Sequence, residues 1–79
     1  MRPLFSIHFI RAYRNAPASI RNTFDKQLQF LLQDIRHPSL RAKKYDTKRW
    51  QARVNRDWRF YFRIAEDTYV LLDIVPHPK

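Results

Sequence analysis

Seventy-nine residues make one domain, 1–79, near the small end of what folds without help. The chain has no cysteine and no glycine, which excludes a disulfide framework, a thiolate metal site and a glycine-rich phosphate loop. Sixteen Lys and Arg against seven Asp and Glu give a net charge of +9 and a pI near 10.7, which points to an anionic partner.

In chain order, Phe5, Ile7 and Phe9 alternate with Ser6, His8 and Ile10. That period predicts a short first strand with one buried face, and His8 on its polar side as a surface or edge histidine. Phe9 to Asn15 then opens a short helix carrying Arg11, Tyr13 and Arg14. Pro17 suits the first turn of a longer helix, predicted to run to about Ile35. Ile20, Phe24, Leu28, Leu31 and Ile35 form its apolar stripe, Phe30 and Leu32 widen it, and Gln27, Gln29 and Gln33 are expected to face outward. His37-Pro38-Ser39 ends the helix. Leu40 to Tyr45 reads as a strand or extended lead-in, with Leu40 turned inward, Tyr45 a second candidate anchor, and Lys43 and Lys44 exposed.

Asp46 to Arg49 is a polar turn, and a three-strand meander follows. Trp50, Ala52 and Val54 alternate with Gln51 and Arg53; Asn55-Arg56-Asp57 supplies a turn; Trp58, Phe60, Phe62 and Ile64 alternate with Arg59, Tyr61 and Arg63. After Glu66-Asp67, Thr68 to Val75 forms the last strand. Lacking glycine, these turns are expected to rely on Asn, Asp and Pro. The order β-α-α-β-β-β-β predicts an α+β domain, two N-terminal helices packed on one face of a mainly antiparallel sheet.

No apolar run is long enough to span a membrane and no signal-peptide pattern opens the chain, so a cytoplasmic protein without a membrane partner is expected. Charge is concentrated. From Arg36 to Arg63 ten cations face two acids, Asp46 and Asp57, so eight of the nine net charges fall in about a third of the chain. One face of the meander collects Gln51, Arg53, Arg59, Tyr61 and Arg63, a set suited to phosphates.

His8, His37 and His77 are scattered and no paired-carboxylate spacing occurs, so neither a metal nor another cofactor is expected, nor a small-molecule ligand. The residues permit metal-free RNA cleavage; composition leaves a Ser-His-Asp triad open too, although nothing marks a nucleophile elbow. RNA carries its own nucleophile, the 2′-hydroxyl; the protein must supply a base, cations for the charged transition state, and an acid for the leaving 5′-oxygen. Arg53, Arg59 and Arg63 share a face and can converge on a phosphate through bidentate guanidinium contacts. Tyr61 between them could stack on a base. His77, just past the last strand, is the histidine placed to reach a sheet-edge site, where it is either a proton carrier or a solvated terminal residue.

The segments HPSLRAKKYD and WQARVNRDWRFYF, followed by an apolar strand ending at His77, resemble in order and spacing the RelE/ParE superfamily of type II toxin–antitoxin toxins. The resemblance covers nearly the whole chain. It implies a compact toxin with a microbial-RNase-type fold, encoded beside an acidic antitoxin, that cuts mRNA on the ribosome. By position it places Arg59 at the scissile phosphate, Arg53 at a basic position one strand earlier, and His77 at the C-terminal acid–base histidine. Lys43 and Lys44 match a basic stretch that helps hold RNA or the ribosome, and Lys48 and Arg49 extend it toward mRNA or rRNA. Two features depart from the family pattern. No tyrosine follows His77, where some members place a catalytic one, and the sequence ends at Lys79 without the C-terminal helix of other members. The ParE branch inhibits DNA gyrase and generally lacks the paired arginine and terminal histidine, so their presence favours the ribonuclease. A basic nucleic-acid-binding module is the remaining alternative.

Overall fold

The computed structural model describes residues 1–77. Its elements are β1 (Arg2–Phe5), α1 (Ile7–Asn15), α2 (Ala18–Gln33), β2 (Lys43–Lys44), β3 (Trp50–Arg53), β4 (Trp58–Ala65) and β5 (Thr68–Pro76). The element order and the α+β class are as expected. The five strands form one sheet in the order β1-β5-β4-β3-β2. β1 lies parallel to β5, and every other neighbour is antiparallel.

The N-terminus departs from expectation. Ile7 to Phe9 belong to α1, not to a first strand, because Ser6 caps that helix: its Oγ accepts from the Phe9 N–H at 3.0 Å. A serine cap satisfies one of the otherwise unpaired N–H groups of the first turn. Phe5 and Phe9 stay neighbours, ring centroids 5.6 Å apart. His8 is therefore a helical residue, and its Nε2 lies 3.1 Å from Asp73 Oδ1.

Pro17 stands at the N-cap of α2, just ahead of the expected first turn, and the helix ends at Gln33 with Asp34 as its C-cap. Phe9, Phe24, Leu31, Leu40, Phe60, Phe62, Leu71 and Ile74 make the sealed centre of the core. Phe24 joins the helices to the sheet, with its ring 5.1 Å from that of Phe9 and edge-on to Phe60 at 5.0 Å. Losing a phenylalanine so placed costs about 3–5 kcal/mol. Gln27, expected outward, is buried on the sheet-facing side of α2. Tyr45 is exposed and anchors nothing in the core.

Two turns use residues other than the expected Asn, Asp and Pro. Arg41 (φ 46°) and Glu66 (φ 55°) both adopt the left-handed conformation, which costs roughly 1–2 kcal/mol for a residue with a Cβ. The turn at Asn55 follows the expected chemistry: its Oδ1 accepts from the N–H groups of Asp57 and Trp58, both at 2.9 Å. Among the described residues, no helix is long and apolar enough to cross a membrane.

Candidate functional site

Register brings the site together. In β3 and β4, Gln51 pairs with Tyr61 and Arg53 with Arg59, so their side chains share the face opposite Phe60 and Phe62. In β5, Val75 pairs with Arg59 and Pro76 with Trp58. The next residue, His77, donates its backbone N–H to the Asp57 carbonyl at 2.7 Å. His77 is thereby tied to the same turn from which Arg59 begins.

Arg41, Lys43, Gln51, Ala52, Arg53, Arg59 and His77 line one open cleft of about 420 Å³. Among the described residues, no ion pair engages Arg41, Lys43, Arg53 or Arg59. No described residue contributes a carboxylate to the cleft. Four cations held together, with no counter-ion among the described residues, make a receptor for an anion.

The geometry of Arg59 is restrained by its own turn. One guanidinium nitrogen, Nη1, donates to the carbonyls of Asn55 (2.8 Å), Trp58 (3.0 Å) and Arg56 (3.1 Å). Burial and then the opposing Arg53 lower its pKa from the ordinary arginine value, yet a guanidinium remains charged in proteins. Like charges directly across a ladder destabilise it. The Arg53–Arg59 pair is thus unfavourable for the fold and favourable for an anion placed between the two.

In the sequence Arg41 is one more cation in a basic stretch. Its signal is tertiary. The Arg53 N–H donates to the Leu40 carbonyl at 2.8 Å, extending the hydrogen bonding beyond the β2–β3 pairing and bringing the left-handed Arg41 alongside. Gln51, on the same face, is buried in the cleft and donates from Nε2 to Tyr61 Oη at 2.9 Å.

The remaining expected residues lie elsewhere. Arg63 does not converge with Arg53 and Arg59; it lines a separate open cleft with Lys44, Thr47, Lys48, Trp50 and Ile64. Tyr61 is half-buried, with its ring at 79° to that of Tyr45 and the centroids 5.1 Å apart. Arg49 pairs with Asp46, Nη2 to Oδ2 at 2.7 Å, and lies over the Tyr45 ring at 5.0 Å.

The sequence matches no protein-family model and no curated protein. Solved structures do match. A YoeB/ParE toxin from Agrobacterium tumefaciens superposes with a TM-score of 0.81 at 10% identity, over 99% of this chain and 100% of that one. The E. coli RelBE toxin–antitoxin complex gives 0.76 at 10% identity, over 98% and 96%. The RelB–RelE complex from Methanococcus jannaschii gives 0.65 at 16% identity, over 92% and 88%. The chain therefore has the RelE/ParE toxin fold, as its resemblance to that superfamily implied.

Proposed function

We propose that this protein is the toxin of a type II toxin–antitoxin system and a metal-independent endoribonuclease that cuts translated mRNA on the ribosome. The observation that carries this reading is the cleft itself, where Arg41, Lys43, Arg53 and Arg59 gather beside His77.

The chemistry follows from that set. A 2′-oxygen attacks the adjacent phosphorus, the bond to the 5′-oxygen breaks, and a 2′,3′-cyclic phosphate and a 5′-hydroxyl result. Arg59 and Arg53 flank the phosphoryl oxygens and stabilise the charge that grows on them. Arg41 and Lys43 hold the flanking backbone. His77 either takes the 2′-hydroxyl proton or supplies the one that the 5′-oxygen needs. The preset guanidinium of Arg59, bound to its own turn, loses little freedom when the phosphate arrives.

The fold alone does not choose this activity over gyrase inhibition; a phosphate cleft next to an imidazole supports nuclease chemistry. Two of the similar structures are toxin–antitoxin complexes, and this chain carries a +9 surface, so an acidic antitoxin is its proposed partner. The test is induced expression in a bacterial host with primer extension on an abundant mRNA. Codon-phased cuts that vanish with Arg59→Ala are expected. Growth arrest with intact mRNA would replace this reading by the gyrase one, and the absence of arrest by that of a binding module.

A further inference from the structure

The sheet carries a second cationic surface on the far side of its short edge strand. Successive residues of a strand point to opposite faces. On β2, Lys43 accordingly joins the arginine cleft, while Lys44, paired with Trp50, joins the other. That second cleft, open and about 600 Å³, is lined by Lys44, Thr47, Lys48, Trp50, Arg63 and Ile64. It lies at the opposite end of β3 from Arg53, and the path between the two clefts rounds β2.

Two features separate it from an ordinary solvated surface. The first is charge without compensation. The nearest acid in the chain, Asp46, is fully occupied: its Oδ1 accepts from the N–H groups of Lys48 (2.9 Å) and Arg49 (2.8 Å), and its Oδ2 binds the Arg49 guanidinium. Among the described residues no ion pair reaches Lys44, Lys48 or Arg63. The second feature is Trp50. Its indole stacks at 17° on Phe62, centroids 6.2 Å apart, and remains only half-buried. A core-packed, half-exposed indole that shares a cleft with three cations matches what single-stranded nucleic acid presents, a base beside its phosphates.

We propose that the Trp50 cleft is a second RNA subsite, in which a base stacks on the indole while Lys44, Lys48 and Arg63 hold neighbouring phosphates. This rests on the ribonuclease reading of the arginine cleft and extends it. A single RNA strand would straddle β2, its scissile phosphate on one side and its flanking nucleotides on the other. The short β2, only two residues long, makes that edge narrow enough to cross.

The test uses two fluorescent 2′-O-methyl RNAs, which lack the nucleophile and so are not cut: a dodecamer that can span both clefts and a trimer that cannot. Anisotropy titrations compare the wild type with the triple variant Lys44→Gln/Lys48→Gln/Arg63→Gln. A control variant, Arg11→Gln/Arg14→Gln/Lys26→Gln, removes the same charge from the helical layer. The inference expects the first triple variant alone to lose about ten-fold or more in dodecamer affinity, with a salt slope shallower by about 2, while trimer binding holds. Separately, Trp58→Phe leaves Trp50 as the only tryptophan, and its emission should be quenched by the dodecamer.

Wild-type dodecamer affinity in the first triple variant would overturn the second subsite while leaving the arginine cleft intact. An equal loss in both triple variants, or loss of the trimer as well, would overturn it as a bulk charge effect. Unquenched Trp50 would overturn the stacking. Failure of the wild-type protein to bind either RNA would overturn the subsite, while primer extension in the cell judges the arginine cleft separately.

Discussion

Gln27, buried in the middle of α2, donates from Nε2 to the Arg53 carbonyl at 2.9 Å and to the Ser39 carbonyl at 3.0 Å. Ser39 Oγ returns a hydrogen bond to Gln27 Oε1 at 2.6 Å. One amide thus fastens the helix to the strand that carries Arg53 and to the turn that leads into Arg41. The helical layer sets the position of the cleft's cations from behind.

Gln27→Met keeps the volume and removes these bonds, leaving two carbonyls and a hydroxyl without the partner they had. Such losses cost about 1–3 kcal/mol. A fall of that size in the urea unfolding free energy is expected, with mRNA cleavage reduced beyond what the unfolded fraction explains. Unchanged stability would mean that water replaces the amide.

Arg59→Gln should separate activity from stability. The substitution gives up contacts to turn carbonyls but relieves the repulsion from Arg53, so the unfolding free energy should stay within about 1 kcal/mol of wild type. Cleavage should fall by about 10²–10³-fold, the usual loss when a transition-state donor is removed. Thermal melts and primer extension on the same preparation check both halves. Collapse of the fold would show that Arg59 is structural.

His77→Ala is expected to lower the cleavage rate by about 10²–10⁴-fold while leaving RNA affinity unchanged, because a proton carrier acts in the chemical step. Single-turnover rates set beside anisotropy titrations make the comparison. A loss of affinity in place of rate would recast His77 as a binding residue.

Asp46 makes a pH-dependent contribution with a definite sign. Its hydrogen bonds from Arg49 and from the Lys48 N–H pull its pKa down from 3.8 to about 2. A carboxylate whose folded pKa is depressed stabilises the fold above its unfolded pKa, and that contribution fades as pH falls through the folded value. Wild type should therefore lose an increment of stability between about pH 4 and pH 2 that Asp46→Asn never had. Urea midpoints of the two proteins across that range should converge on acidification. Parallel curves would sink the assignment.

An acidic antitoxin should be encoded in the neighbouring reading frame and should copurify with this chain. Its affinity should weaken with salt, as for any pairing of opposite charges. Co-expression should restore growth; a neighbour that neither binds nor rescues would remove the toxin–antitoxin reading.

Much of this was written into the local sequence. Alternation from Trp50 to Ile64 places Arg53 and Arg59 on one face and Phe60 and Phe62 on the other whatever the surroundings, because a strand has period two. The stripe from Ile20 to Leu31 likewise requires a helix with one apolar side. Other features required the assembled chain. Phe5, Ile7 and Phe9 satisfy a strand period, and Phe5 and Phe9 a helical one too; the Ser6 cap and the parallel docking of β1 on β5 decide between them. Gln27 reads as an outward residue until Ser39 and Arg53, 12 and 26 positions away, arrive to bond it. Arg41 enters the cleft only through a left-handed turn and the Leu40 carbonyl, and Arg63 leaves it because the ladder of β3 ends at Trp50. Local periodicity determines which face a side chain occupies; which cations share a cleft depends on register and turns, and those are set by contacts far apart in the chain.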